Sequence, residues 1–263
     1  MSPRPQNPSV GLFATCLVDL FRPSVGFAAA KLLADAGCRV AVPRAQTCCG
    51  QPAYNSGDRA NAKRLARRTI VAFRHFDYVV VPSGSCGGMI KRHYPAALAD
   101  DRKWLLRAEA LAAKTYELVA FLHDVMGVRV VPGRFEGIAA YHDSCSSLRE
   151  MGVRDQPRAL LGAVRGLGLR ELPERDACCG FGGTFCVKYP EISNHMVADK
   201  CREVAESGAD TVLSGDMGCL MNIAGKLLRE GRAIRAYHVA EVLAGVEAAP
   251  IGQMKAETED VAA

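Results

Sequence analysis

Eight of the 11 cysteines fall in a pattern that occurs twice in the same order: Cys16, Cys48-Cys49-Gly50 and Cys86, then Cys145, Cys178-Cys179-Gly180 and Cys219. The single cysteine precedes the pair by 32 residues in the first half and 33 in the second, and the pair precedes the last cysteine by 37 and 40. The flanks agree as well. Gly11-Leu-Phe-Ala-Thr-Cys16 resembles Ala139-Ala-Tyr-His-Asp-Ser-Cys145, and Val81-Pro-Ser-Gly-Ser-Cys86 resembles Leu213-Ser-Gly-Asp-Met-Gly-Cys219. Self-similarity of this kind marks a chain built from two copies of one folding unit.

Hydrophobic patterning places the cysteines on a common frame. Residues 10–14, 39–42 and 78–81 read as short buried strands, with helical periodicity over 25–36 and 59–76 between them. In the second half 138–141, 169–172 and 211–213 read as strands, separated by helices over 158–165 and 191–206. The expected fold class is therefore α/β: two pseudo-symmetric β-α-β-α-β halves with parallel sheets and right-handed crossovers. Residues 10–133 form the first half and its connection, which carries a helical pattern over 117–126, and residues 134–246 form the second. Residues 1–9 and 247–263 are expected to be flexible. Parallel strands deliver their C-terminal ends to one edge, where open α/β sheets hold ligands, and each motif cysteine lies just beyond such an end. Three loops distant in sequence should thus bring four sulfurs together in each half.

Four thiolates at one point form a soft-metal site, suited to iron–sulfur clusters, zinc or Cu(I). Zinc sites commonly use closely spaced cysteine pairs of the Cys-x-x-Cys type, and neither repeat contains one. Adjacent cysteines have diverging side chains in an extended chain, so both can ligate only around a wide core or a sharp turn, which Gly50 and Gly180 can supply. A disulfide within a pair would be strained, since adjacent Cα atoms are about 3.8 Å apart and relaxed disulfides prefer about 4.4–6.8 Å. Glycines around Cys86 (Gly84, Gly87, Gly88) and after Cys179 (Gly180, Gly182, Gly183) leave backbone amides free to donate to sulfur.

Composition narrows the alternatives. The 263 residues are 49% hydrophobic and 23% charged, which excludes wholesale disorder, and a formal charge of +5 is too small and dispersed for a nucleic-acid binder. No secretory h-region or membrane span is evident, so a reducing cytoplasm is the expected compartment, where cysteine clusters signify metal or redox chemistry.

The doubled Cys-Cys-Gly motif, with a cysteine after a strand upstream and another after Pro82-Ser-Gly-Ser85 downstream, resembles the cysteine-rich (CCG) domain family. Its members include the cysteine-rich component of heterodisulfide reductase and the iron–sulfur component of glycolate oxidase. The stretch Cys178-Cys-Gly-Phe-Gly-Gly-Thr-Phe-Cys-Val-Lys-Tyr-Pro-Glu-Ile-Ser193 is most similar to the lactate-utilization branch of that family. The resemblance spans about residues 10–244. It implies up to two iron–sulfur clusters held by Cys16, Cys48, Cys49 and Cys86, and by Cys145, Cys178, Cys179 and Cys219. It also implies a non-catalytic or co-catalytic electron-transfer role in oxidising L-lactate to pyruvate, with a B-type iron–sulfur protein and a C-type protein as partners. The family motif ends in Cys-x-x-Cys, whereas Met89 and Asn222 stand at the last positions here. Four thiolates per half match an ordinary [4Fe-4S] cluster.

Two other functions stay open on the residues alone: a structural zinc or assembly module, and a dithiol–disulfide redox protein using Cys48-Cys49 or Cys178-Cys179. Among the remaining cysteines, Cys38 and Cys201 fit core positions, and Cys186 fits a loop near the second quartet. His142 and Asp143 stand close enough to Cys145 to tune a centre or carry a proton; strand-end hydrogen bonding and helix capping are the structural alternative. The row Arg59, Lys63, Arg64, Arg67, Arg68 and Arg74 fits a solvated helix face, or a docking surface for an acidic partner. Met89 and Met221 fit packing positions. The chain contains no dinucleotide-binding Gly-x-Gly-x-x-Gly opening a helix, no P-loop and no ferredoxin-type Cys-x2-Cys-x2-Cys run.

Overall fold

The computed structural model describes residues 4–253. Its frame is two four-stranded sheets, every pairing parallel. The first contains β1 (Ser9–Leu12), β2 (Arg39–Ala41), β3 (Tyr78–Val81) and β4 (Thr115–Glu117) in the order β2-β1-β3-β4. The second contains β5 (Arg134–Tyr141), β6 (Arg165–Arg170), β7 (Thr211–Ser214) and β8 (Arg235–His238) in the order β6-β5-β7-β8. The two orders are the same permutation, as a duplicated unit requires.

The α/β reading holds, with one extension. Each sheet carries a fourth strand, β4 or β8, that a three-strand reading of each half omits. Both are only three or four residues long, and each runs straight into a helix, so neither shows enough alternation to stand out. The connection also contains the helix Arg102–Ala113, and helical structure from Leu118 to Val125 then matches the expected stretch.

Helices fill the crossovers because their apolar faces have sheets to cover. Helix Pro23–Asp35 buries Val25, Ala28, Ala29, Leu32 and Leu33, and helix Arg59–Phe73 buries Ala62, Ala66, Ile70 and Phe73. Gly11 in β1 is required by close packing, since a Cβ there would stand 2.7 Å from the Phe73 and Phe76 rings. One hydrophobic core runs across both halves, joining Val10, Leu12 and Leu32 to Ala139, Val212 and Leu243. Helix Val239–Ala244 packs on helix Pro23–Asp35, where buried Glu241 accepts from Arg22 at 2.8 Å and from Ser24 at 2.6 Å.

Parts of the terminal stretches expected to be flexible, residues 1–3 and 254–263, lie outside the described residues. Within the described part, the Arg4 guanidinium donates to the Ala36 carbonyl, and buried Ile251 donates its N–H to Ala236 at 2.9 Å. Among the described residues no helix is long and apolar enough to cross a membrane.

Candidate functional site

All three sulfur-bearing loops of the first half open from strand ends. After β1, the Thr15 hydroxyl accepts from the Val18 N–H at 3.3 Å and starts a helix whose first residue is Cys16. After β2, Gly50 adopts φ +88°, turning the chain immediately behind Cys48-Cys49. After β3, Ser83 caps the short helix Gly84–Gly88 by accepting from the Cys86 N–H at 3.3 Å. Cys16 and Cys48 approach to 3.8 Å between sulfurs, and Cys49 and Cys86 stand beside them in the same group. These four line a cavity of about 200 Å³, closed from the second half by Phe181, Gly183, Asp216, Met217 and Gly218.

The second half repeats the construction. Cys145 follows β5, Gly180 turns at φ +78° behind Cys178-Cys179, and Cys219 lies in the helix Met217–Arg229, which Asp216 caps after β7. Cys178 stands beside Cys145 and Cys179, and the Cys179 and Cys219 sulfurs lie within 4.8 Å of each other, close enough for each thiol to shift its neighbour. The structure thus gathers Cys16, Cys48, Cys49 and Cys86 in one group and Cys145, Cys178, Cys179 and Cys219 in another.

In each group one thiol is favoured as thiolate. Hydrogen bonds from Cys16 and Cys49, with the Gly50 N–H at 3.4 Å, hold Cys48 down to about 3 against its burial. Cys145, Cys179 and the Gly180 N–H, also at 3.4 Å, hold Cys178 down to about 2. The donors rise in exchange: Cys16 and Cys145 are pushed up by donating to these thiolates and then by burial. Cys49 and Cys179 rise for the same reasons. Cys219 accepts from Cys179, yet burial and the Asp216 carboxylate push it up.

The glycine-rich segments do more than free amides. A Cβ at Gly84 would meet the Ser147 Oγ at 2.0 Å, and one at Gly88 the Glu150 carboxylate at 1.9 Å. These glycines let the first half's last cysteine helix lie against the second half. Asp216 ties the same junction, accepting from the Ser83 hydroxyl and the Ser85 N–H, each at 2.9 Å. The Gly50 and Gly180 amides do donate to sulfur, to Cys48 and Cys178, each at 3.4 Å.

His142 and Asp143 part company. Asp143 is buried and held by the Arg158 guanidinium at 3.0 and 2.7 Å, so its carboxylate serves an ion pair rather than a helix cap. His142 is buried with neither ring nitrogen hydrogen-bonded, and a ring nitrogen lies within 4.8 Å of the Cys179 and Cys219 sulfurs. Burial, and then the nearby Lys200 charge, push its pKa down to about 3, so the imidazole is neutral. The matching position in the first half is Phe13.

Cys38 and Cys201 are core residues, and burial raises their thiols to about 11 and 12. Cys186 lies in the one-turn helix Phe185–Lys188 rather than a loop, its thiol donating to the Gly183 carbonyl at 3.6 Å. Met89 is buried and Met221 packs against the core. In the basic row, Lys63 pairs with Asp100, and Arg67 pairs with Asp101 at 3.1 Å and covers the Trp104 ring.

The matched sheets and the two cysteine groups define a duplicated cysteine-rich α/β protein. The family profile for the cysteine-rich domain matches residues 10–91 and 139–224, and the chain belongs to that family. Lactate utilization protein A of Geobacillus sp. (strain WCH70) is 50% identical over 234 residues, covering 89% of this chain and 98% of that one. Lactate utilization protein A of Oceanobacillus iheyensis is 47% identical over 234 residues, covering 89% and 96%. A crystal structure of a hypothetical protein from Helicobacter pylori superposes with a TM-score of 0.65 at 11% identity, covering 92% of this chain and 50% of that one; the likeness is one of fold.

Proposed function

We propose that the chain is an iron–sulfur electron-transfer component of a lactate-utilization system, oxidising L-lactate to pyruvate together with a B-type iron–sulfur protein and a C-type protein in the cytoplasm. The observation that carries the reading is the cavity lined by Cys16, Cys48, Cys49 and Cys86. Four sulfurs from three loops facing one cavity suit a multi-atom metal core. The names of the relatives at 50% and 47% identity supply the metabolic context.

The donor set fits such a group. Cys48 and Cys178 are ready as thiolates, and the other thiols lose their protons as a metal binds. The Gly50 and Gly180 N–H groups stabilise negative charge on sulfur. Phe181 and Met217 restrict water at the first quartet. When bound, an iron–sulfur core supplies a site that takes up and releases single electrons. Lactate gives up two electrons and two protons on becoming pyruvate, and two such sites in one chain match that count.

Metal and sulfide analysis of anaerobically purified protein, with EPR of the reduced form, tests the reading. We expect iron and acid-labile sulfide in equal amounts and two reducible signals. Zinc without sulfide would favour the structural module. Metal-free protein that supports lactate oxidation with its companions would overturn the proposal.

A further inference from the structure

Three residues before the first cysteine of each repeat, the two halves stop matching: Phe13 in the first, His142 in the second. Phe13 is fully buried and packs against the Phe73 ring, with 5.5 Å between centroids. His142 is 1% exposed. A phenyl ring asks nothing of such a place, whereas a neutral imidazole brings one donor and one acceptor that need partners. Neither Nδ1 nor Nε2 finds one.

The ring is not loose. The His142 backbone N–H donates to the Leu213 carbonyl at 2.8 Å, extending the β5–β7 pairing past Tyr141 and fixing the side chain's direction. A ring nitrogen and the sulfurs of Cys179 and Cys219 then all lie within 4.8 Å of one another, yet no hydrogen bond joins the ring to either sulfur. Donor atoms that share a buried pocket without bonding each other are placed to bond a common atom. Imidazole and thiolate are both ligands for iron and zinc.

We infer that His142 is a nitrogen ligand of the second centre, which is therefore a mixed histidine–cysteine site beside an all-thiolate first centre. The inference rests on reading the quartets as metal centres. Standing in for one of the four thiolates, a neutral imidazole stabilises the oxidised metal less than the anion it replaces, so the second centre should have the more positive potential and be the electron sink of the two.

The test uses full-length protein labelled with 15N-histidine and reconstituted anaerobically. A Cys48→Ser/Cys49→Ser variant disables the first quartet, and pulsed EPR of the reduced second centre reads its nitrogen couplings. A strong coupling that follows the isotope is expected. It should be absent from the reciprocal Cys178→Ser/Cys179→Ser variant and lost in His142→Phe, the side chain the first half uses. Because the label leaves position 142 unaltered, misfolding of the His142→Phe variant cannot hide the answer. Iron and sulfide in the second half with weak or no histidine coupling would overturn this inference alone. Unsubstituted protein that takes up no iron and sulfide would overturn it together with the metal reading.

Discussion

The two halves share a strand order, a Cys-Cys-Gly turn and a group of four sulfurs, but they surround those sulfurs differently. The first quartet faces a cavity whose far wall belongs to the second half, while the second quartet has a buried histidine where the first has Phe13. The carbonyl behind each cysteine pair is also held in different ways. In the first half the Tyr94 hydroxyl donates to the Cys49 carbonyl at 2.7 Å; in the second the Asn222 amide donates to the Cys179 carbonyl at 2.8 Å. Asn222 occupies the position where the family motif has a further cysteine, and its counterpart Met89 is buried in the core. Duplication has kept the scaffold that converges the thiols and varied what touches them, as expected of two sites with distinct properties on one frame.

The largest effect that could break this comparison is loss of a whole centre. Cys48→Ser and Cys178→Ser each remove the thiol most stabilised as thiolate in its group. Each should cost about half the bound iron and one EPR signal, since a cluster missing one thiolate ligand is labile. Loss of all iron from either variant would mean that the quartets assemble as one unit.

Next come the turns. Gly50 and Gly180 both have positive φ, so alanine at either is strained by roughly 1–2 kcal/mol. The surroundings then separate them. A Cβ at Gly50 meets the Leu65 side chain at 3.3 Å, whereas one at Gly180 meets the Ser193 carbonyl oxygen at 2.7 Å, in a helix that cannot swing aside. Gly180→Ala should therefore cost a further roughly 1–3 kcal/mol from overpacking. Denaturant midpoints of the two variants decide it, and equal losses would show that the second turn is as roomy as the first.

A smaller change reads the carbonyl clamps. Tyr94→Phe removes the donor to Cys49 and its contact with Thr69 at 3.2 Å, leaving a buried acceptor short of a partner. Asn222→Leu does the same to Cys179, although Ser193 still holds the neighbouring Gly180 carbonyl at 2.8 Å. Each should lower stability by about 1–2 kcal/mol. Thermal unfolding that left Asn222→Leu unchanged would show that the second clamp is redundant.

Much of this was legible in the amino-acid sequence because it rests on local signals. The repeat, the period-two strands and the amphipathic helices suffice to place eight cysteines at the ends of parallel strands. β4 and β8 escape because three- and four-residue strands carry too little pattern. The close approach at Gly84 and Gly88 escapes because it is a contact between halves, invisible in either segment alone. His142 stands out by its place near Cys145, but its unpaired nitrogens emerge only once β5 fixes the ring near Cys179 and Cys219. For Asp143, the decisive partner is Arg158, whose approach depends on a crossover helix.

The last contrast lies at those fourth strands. Glu117 ends β4 and His238 ends β8, and each caps the helix that follows: the Glu117 carboxylate accepts from the N–H groups of Val119 and Ala120, and His238 Nδ1 accepts from the Ala240 N–H. Burial acts on both but with opposite consequences. It raises Glu117 from 4.5 to about 7, so this group favours folding most below its unfolded pKa, and the contribution is lost as pH rises toward 7. Burial lowers His238, so its contribution is present above 6.5 and is lost as pH falls through the folded-state pKa. Glu117→Gln keeps an acceptor at the cap and should flatten the decline of stability between pH 5 and about 7. His238→Asn, also a competent cap, should flatten the acid side instead. Stability against pH for the two variants checks this; matching profiles would mean that the equivalent caps titrate alike despite their chemistry.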